Sequence, residues 1–189
     1  LIGVKPPALQ TSNFFTNGRI IRVRPDLTTD SDTTPFFDSF GGARQFSKPD
    51  ISGTDLYVAE GNTEYPTEID LSTFPGTQKQ YFTYSQYLYG SWTPQCVTVD
   101  RNGDLLVAWN NIGTLDDITA KKRLSFWGPQ GQYAAHDVTV DQDNLPIWTT
   151  SIGICQPSLT AGSLPVVIAP LPTNLQSVGQ GALGIQQAI

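Results

Sequence analysis

The sequence predicts an all-β fold, an antiparallel β-barrel or β-sandwich built from hairpins with at most one short helix. Charged residues make up only 15% of the 189 residues, while Gly occurs 17 times and Pro 14 times. This composition is poor in helix formers and rich in turn formers. Short runs of alternating apolar and polar residues are separated by turn signals. We expect a single all-β domain over residues 1–172 and an extended arm or linker over residues 173–189.

The clearest hairpin is "VTVDRNGDLLVAW", residues 97–109. Val97 and Val99 alternate with polar residues, which indicates a half-buried strand. Asn102 and Gly103 follow and predict a two-residue type I′ turn, because both central residues of that turn need positive φ. The apolar run "DLLVAW" then supplies the returning strand.

This hairpin pattern recurs in the chain. Further copies are "DVTVDQDNLPIW" (137–148), "SGTDLYVAEGN" (52–62) and, more faintly, "TNGRIIRVRPD" (16–26). One explanation is a true repeat of about 40–50 residues, the period of a β-propeller blade. The other is that an all-β chain forms several similar hairpins by coincidence, because each follows the same local turn and strand preferences. The uneven spacing, with 49 positions from Asp55 to Asp104 and 40 from Asp104 to Asn144, favours the second explanation and leaves the first open.

Three further segments have recognisable patterns. The stretch "QYFTYSQYLYGSW" (80–92) predicts an aromatic strand, and "RLSFWG" (123–128) predicts a short one. The segment "TLDDITAKKR" (114–123) is the best helix candidate, because its acidic residues come early and its basic residues late, as the helix macrodipole prefers. Trp109 and Trp148 lie at matching positions of two hairpins, which predicts that both pack in the core.

Charge and hydropathy exclude several classes of partner. The net charge of −6 and the pI of 4.5 argue against nucleic acid as the main partner. The most apolar run, residues 163–172, is short and interrupted by prolines, so we expect no membrane insertion. The lack of Met, including at position 1, suggests a processed end or a part of a longer protein. Cys96 and Cys155 are too few for a disulfide framework, and both a disulfide and two buried thiols remain open.

The chain has one histidine, His136, and Ser151 and Asp137 could in principle supply a nucleophile and an orienting acid. A hydrolytic triad needs such residues, but no nucleophile-elbow motif accompanies them. Adjacent carboxylates such as Asp116 and Asp117 seldom hold two carboxyl groups across one glycosidic bond, so they favour solvated charges at a helix start. We therefore expect no enzyme and no catalytic residues.

The string Asp100-x-Asn102-x-Asp104 has the spacing of the first calcium ligands of an EF-hand loop. Its glycine, however, stands at the fourth position instead of the sixth, and Asn111 replaces the bidentate Glu. A plain hairpin turn explains the string without an ion. We expect no metal site and no cofactor.

Aromatic residues are the most informative type for function. The chain has four Trp and seven Tyr, and such rings combine a flat apolar face with a polar edge that suits interfaces and sugar stacking. Tyr87, Tyr89 and Trp92 come at the end of the aromatic strand, around the loop-forming Gly90-Ser91. We predict that these three residues form a ligand-binding patch.

Three strings resemble the protruding domain of calicivirus capsid proteins. "FFTNGRI" (14–20) resembles the strand opening "FxNGR" of the norovirus form, and "LQSVGQGALGI" (175–185) is similar to the glycine-rich ending of that family. "GTDLYVAEGNTEYP" (53–66) resembles a strand and turn that come later in the same domain. Together they cover less than a quarter of the chain. The chain is shorter than that domain, and no functional residue is carried over.

The resemblance implies a projecting domain of a non-enveloped virus capsid or spike at the virion surface. Such a domain would attach to a host-cell receptor, either a glycan or a protein, and would associate with other copies of itself, as a dimer or as a trimer. Two alternatives remain open. One is the receptor-binding tip of a phage or bacterial protein, and the other is part of a β-propeller-like secreted protein or enzyme.

Overall fold

The computed structural model describes residues 2–4, 19–21, 37–38, 49–59, 66–73, 76–81, 94–110 and 112–172. Within these ranges the regular structure consists of fifteen β-strands and one 3-10 turn, Gly131–Tyr133. The all-β prediction is confirmed. The strands are β1 (Ile2–Val4), β2 (Arg19–Ile21), β3 (Phe37–Asp38), β4 (Asp50–Ser52), β5 (Asp55–Ala59), β6 (Pro66–Asp70), β7 (Thr77–Tyr81), β8 (Cys96–Val99), β9 (Leu105–Trp109), β10 (Thr114–Asp117), β11 (Lys122–Phe126), β12 (Asp137–Val140), β13 (Pro146–Thr150), β14 (Gly153–Gln156) and β15 (Val166–Pro170).

The strands form antiparallel sheets in which each strand pairs with the next one along the chain. β1 to β3 make a three-stranded sheet, and three four-stranded sheets follow. We call these sheet I (β4 to β7), sheet II (β8 to β11) and sheet III (β12 to β15). Each four-stranded sheet is a meander, and none of the described sheets closes into a barrel.

Sheet II lies between sheets I and III. Two apolar clusters show this arrangement. The first contains Ala59 of sheet I together with Val97, Leu105, Val107, Trp109 and Ile118. The second contains Cys96, Ala108, Leu115 and Trp127 together with Ala135, Val138, Trp148 and Cys155. Residues directly opposite each other in paired strands share a face. The pairs Val97–Val107 and Cys96–Ala108 therefore place the two clusters on opposite faces of sheet II.

The first strands of successive sheets lie next to one another. β8 contacts β4 and β5 on one side and β12 on the other. Asp50 of β4 accepts hydrogen bonds from Thr98 Oγ1 at 2.7 Å and from the Val99 amide at 2.8 Å. Four-stranded meanders stacked face to face, with their first strands adjacent, are typical of β-propeller blades.

The repeated hairpins occupy equivalent places in sheets II and III. In the turn of sheet II, Asp100 Oδ1 accepts hydrogen bonds from the Asn102 and Asp104 amides. In sheet III, Asp141 Oδ1 accepts from the amides two and four residues later. Positive φ occurs once in each turn, at Gly103 (88°) and Asn144 (61°). The predicted type I′ turn is therefore wrong, because only one residue is left-handed. The loop has three residues and ends in a left-handed one.

The hairpin similarity extends to whole sheets. The β4–β5 hairpin opens sheet I, with Gly53 in its turn at a φ of 60°. Each of the three hairpins is therefore the first hairpin of its own four-stranded meander. This recurrence favours a true blade repeat over coincident hairpins. The uneven spacing arises in the connections, which do not affect the register inside each sheet.

The predicted helix over residues 114–123 is wrong. The structure has β10 and β11 there, joined by a turn in which Lys121 has a φ of 56°. Asp116 lies opposite Arg123, and Asp117 lies opposite Lys122. The succession of acidic and then basic residues is therefore a set of cross-strand pairs and does not follow a helix dipole. The predicted strand within 123–128 is confirmed by β11.

The two tryptophans of the hairpins are fully buried, as predicted. Their positions are not equivalent, however. Val97 pairs with Val107 in sheet II, and Val138 pairs with Trp148 in sheet III, so Trp148 corresponds to Val107. Trp109 and Trp148 belong to different clusters because sheet II packs its first hairpin against sheet I, whereas sheet III packs its first hairpin against sheet II.

Candidate binding surface

The connection between sheets II and III, residues 127–136, is held firmly to both sheets. The Asn110 side chain donates to the Ala135 carbonyl and accepts from the Ala135 amide, both at 2.8 Å. Trp148 Nε1 donates to the Tyr133 carbonyl at 3.0 Å. The Trp127 ring stacks on the Trp148 ring with 5.5 Å between centroids. These contacts fix the path of the connection, so its exposed side chains start from a rigid support.

The exposed part of this connection is polar and uncharged. Gln130, Gln132 and His136 are exposed, and Tyr133 is half-buried. The amides and the phenol can donate and accept hydrogen bonds, and the Tyr ring offers an apolar face. Such a set of groups suits a neutral, hydroxyl-rich ligand.

This connection lies at one end of the sheets, which we call the connector end. β8, β10, β12 and β14 start there, and β9, β11 and β13 end there, because alternate strands of a meander run in opposite directions. None of the described residues in these connecting segments is Asp, Glu, Lys or Arg.

The predicted patch of Tyr87, Tyr89 and Trp92 lies outside the described residues, as does the aromatic strand beyond Tyr81. In the sequence all three lie between β7 and β8, and this stretch precedes Pro94 and Gln95, where β8 begins at the connector end.

The opposite end of the sheets carries the hairpin turns, and we call it the hairpin end. There the two repeated turns touch each other. The Arg101 amide donates to Asn144 Oδ1 at 2.8 Å, and Asn144 Nδ2 donates to Asp100 Oδ2 at 2.9 Å. The Arg101 guanidinium reaches the Gln142 carbonyl. These bonds align the hairpin ends of sheets II and III.

Carboxylates at the hairpin end have opposing electrostatic environments. Desolvation acts to raise the pKa of Asp100, but hydrogen bonds from the Asp104 amide, Asn144 and Asn102 lower it below its ordinary value. The pKa of Asp104 is raised by desolvation and by the neighbouring Asp117 and Asp100 carboxylates. The oxygens of Asp100 are engaged with turn donors, which explains the Asp-x-Asn-x-Asp spacing without a cation.

Asp116 and Asp117 are buried, contrary to the prediction of solvated charges. Asp116 accepts from Arg123 Nε at 3.1 Å and from Thr114 Oγ1 at 3.1 Å. Desolvation raises the pKa of Asp116, and Arg123 and Thr114 oppose that shift only in part. The Arg123 guanidinium also lies 5.9 Å from the centroid of the Phe126 ring. The carboxylate is thus committed to a structural ion pair.

Sheet I carries a second charged group on its face toward sheet II. Lys79 pairs with Asp55, and its Nζ lies 3.7 Å from Glu68 Oε1. Tyr57 lies opposite Glu68 in the register and packs against the first apolar cluster. Desolvation raises the pKa of Tyr57, and the Glu68 and Asp55 carboxylates raise it further. The charged group of Lys79, Asp55 and Glu68 therefore forms a polar rim at the junction between sheets I and II.

The residues considered for catalysis are not organised as a triad. His136 is exposed, and its amide donates to the Thr149 carbonyl. Ser151 Oγ donates to the Gln132 carbonyl at 3.4 Å, and Asp137 Oδ1 accepts from the Val138 amide. In the part of the chain that the structure describes, no group of three His, Cys, Asp or Glu residues is arranged to hold a metal ion.

Both cysteines are buried thiols, and no disulfide joins them. Burial raises the pKa of Cys155, and a contact with Thr150 Oγ1 at 3.7 Å opposes the shift. A thiol with a raised pKa is a poor nucleophile at neutral pH. Nearby, Ser125 Oγ and Trp127 Nε1 are buried without a hydrogen-bond partner among the described residues.

Sequence reasoning missed the connection at 127–136 as a candidate surface. The available signal was the run "GPQGQY", residues 128–133, where Gly, Pro and Gln stand between two predicted strands. Such composition marks a loop but carries no information about which other loops lie beside it.

The chain matches no protein-family model, and no curated protein matches it. The three-residue 3-10 turn is the only helical element in the described ranges, so no helix there has the length and hydrophobicity needed to cross a bilayer.

Proposed function

We propose that this protein is a binding module that recognises a neutral, hydroxyl-rich ligand, a glycan above all, through the connector end of its stacked sheets. The observation that carries the proposal is topological. The connection holding Tyr87, Tyr89 and Trp92 leads into the start of β8, at the same end as the described connection 127–136. The described connection 127–136 thus presents amide and aromatic groups at the end of the sheets that the predicted patch precedes in the sequence.

The chemistry of the two ends supports this assignment. At the connector end the exposed groups are amides, hydroxyls and an imidazole, with no described charge in the connecting segments. At the hairpin end the turns carry Asp100, Asp104, Asp141 and Asp143. Aromatic faces and planar amides are suited to sugar rings, whereas clustered carboxylates suit cations. Loops on a rigid scaffold are also where binding residues concentrate.

The blade-like stacking favours a propeller-like binding protein as the architecture. Receptor attachment at a virion surface, implied by the resemblance to calicivirus protruding domains, is our second candidate. The exposed apolar strand β15 favours it, because a spike domain needs a surface for self-association. Both candidates assign recognition to the protein and place the ligand at the connector end.

A glycan array followed by titration of the best ligand tests the proposal. We expect Trp92→Ala and Gln132→Ala each to weaken binding about tenfold, since a lost aromatic or hydrogen-bond contact contributes on the order of 1 kcal/mol. The matched control is Leu145→Ala, which removes an exposed apolar side chain at the hairpin end, opposite to the connector end. The control should bind as the wild type does.

Two results would contradict the proposal. One is a wild-type protein that binds no glycan on the array. The other is a protein whose affinity falls in Leu145→Ala and is unchanged in both connector variants. Far-UV circular dichroism of each variant separates a lost contact from a lost fold.

A further inference from the structure

The outer strands of the three sheets occupy equivalent places but differ in chemistry. β7 carries Lys79, and β11 carries Lys122 and Arg123. β15, with the sequence VVIAP, carries no charge. An outer strand has one hydrogen-bonding edge that its own sheet leaves open, and charged residues, Lys above all, protect such edges from pairing with another chain. β7 and β11 have this protection, and β15 lacks it.

β15 also exposes its apolar side chains. Val166 is 44% exposed and Ile168 46%, and the preceding loop adds Leu159 and Leu164. Val167, between them, packs against the cluster between sheets II and III. The strand is therefore anchored on one side by β14 and by Val167, and it presents an ordered apolar row on the other.

The distribution of charge along the chain indicates what this row binds. All 28 residues of the types Asp, Glu, Lys and Arg precede position 144, and none follows. Two copies of an acidic protein with net charge −6 repel each other. That repulsion is smallest where the two copies meet through their uncharged regions, and β15 is the edge strand of that region.

We propose that β15 is a self-association surface, at which two copies pair their β15 strands antiparallel about a two-fold axis. The partner is thus a second copy of this chain. Pairing joins two copies of sheet III into one continuous eight-stranded sheet, and a two-fold axis uses the same patch on both copies. Pro165 and Pro170 lack amide hydrogens and confine the backbone pairing to the residues between them. The paired segment is therefore short, and the dimer dissociates at low protein concentration. This surface is separate from the connector-end loops, so self-association through β15 does not depend on the proposed ligand binding.

Sedimentation equilibrium of the full 189-residue chain over a range of concentrations tests the inference. We expect a reversible monomer–dimer equilibrium that persists at high salt, because apolar contacts and backbone hydrogen bonds hold it. Ile168→Lys and Val166→Lys should each raise the dimer dissociation constant by about tenfold or more, since the two-fold axis brings two like charges together.

The matched control is Leu145→Lys. Leu145 is 48% exposed, nearly the same as Ile168, and lies in the same sheet at the hairpin turn. It should dimerise as the wild type does. A wild type that stays monomeric at all concentrations would overturn the inference, and so would a trimer. Equal weakening by Leu145→Lys and Ile168→Lys would also overturn it, because the effect would then come from charge alone. Urea unfolding of each variant confirms that the substitutions leave the monomer folded.

Discussion

Sheets II and III follow one plan through their first three strands and differ in the fourth. Each starts with the same Asp-stabilised hairpin, and each packs its first two strands against the preceding sheet. Sheet II ends in β11, whose Arg123 reaches back to buried Asp116. Sheet III ends in β15, which has neither a charge nor an ion pair. The shared part builds the stack, and the last strand determines whether a sheet edge faces solvent or a partner.

The largest loss of stability is expected in sheets II and III, where the start of the third strand approaches the end of the outer strand. A Cβ atom at Gly113 would lie 2.0 Å from the Gly128 carbonyl oxygen, and one at Gly153 would lie 2.2 Å from the Ala169 oxygen. Both glycines have positive φ. Gly113→Ala and Gly153→Ala should each lower the free energy of unfolding by roughly 3–5 kcal/mol, through steric overlap added to backbone strain. Urea unfolding measures this.

Gly103 supplies the control for this comparison. Its φ is also positive, but a Cβ atom there meets nothing within 4 Å. Gly103→Ala should therefore cost only about 1–2 kcal/mol, from backbone strain alone. Equal losses in the free energy of unfolding for Gly103→Ala, Gly113→Ala and Gly153→Ala would contradict the close backbone approach at Gly113 and Gly153.

The next largest loss of stability distinguishes Trp148 from Val107, which occupy equivalent register positions in sheets III and II. Trp148→Ala should cost about 3–5 kcal/mol, because it leaves a large cavity beside Trp127 and removes the bond to the Tyr133 carbonyl. Val107→Ala, at the register-equivalent position in sheet II, should cost about 1–2 kcal/mol, since two methyl groups are lost. The same urea titration checks both, and a reversed order would contradict the register that makes them equivalent.

The pH dependence of stability distinguishes two carboxylates of sheet II. The pKa of Asp116 is higher in the folded protein than in the unfolded chain. Its contribution to stability is complete below the unfolded-state pKa and is lost as the pH rises through the folded pKa. The pKa of Asp100 is lowered, so its contribution is present above about pH 4 and is lost as the pH falls.

Asp116→Asn should therefore gain stability relative to the wild type as the pH rises from about 4 toward neutral. Asp100→Asn should show the reverse, with its deficit shrinking as the pH falls below about 4. Thermal unfolding of the three proteins at a series of pH values measures both trends. Parallel pH profiles for wild type and Asp116→Asn would contradict the desolvated ion pair.

The smallest effect concerns the contact between the two hairpin turns. Asn144→Gly keeps a residue that tolerates positive φ but removes the bonds to the Arg101 amide and to Asp100 Oδ2. It should cost about 1–2 kcal/mol. Gly103→Asn, the reciprocal change, removes no such bond and should cost less than about 1 kcal/mol. Equal costs in urea unfolding would mean that the turns do not touch.

Local patterns in the sequence predicted the strands of the first hairpins and their turn positions. They did so because strand alternation and the Asp, Asn and Gly residues of a turn act over a few positions. The same local reading failed at residues 114–123, where Asp116 and Arg123 are seven positions apart and pair across two strands. A helix and a tight hairpin can place acidic and basic residues in the same order, and burial decides between them.

The stacking of the sheets could not be predicted in this way. Asp50 binds Thr98 across 48 positions, and Asn144 binds Asp100 across 44. Such partners carry no periodic signal, since any Asp or Asn near a strand end has the same appearance in sequence. The predicted ligand patch at Tyr87, Tyr89 and Trp92 stays a prediction, because all three residues lie outside the described ranges.

Hydrogen–deuterium exchange measured at low and high protein concentration tests the contrast between the two outer strands most directly. We predict that amides of β15 become more protected as concentration rises, because a second copy covers that edge, while amides of β11 exchange at the same rate at both concentrations. Protection that is unchanged in β15, or that rises equally in β11, would contradict the account.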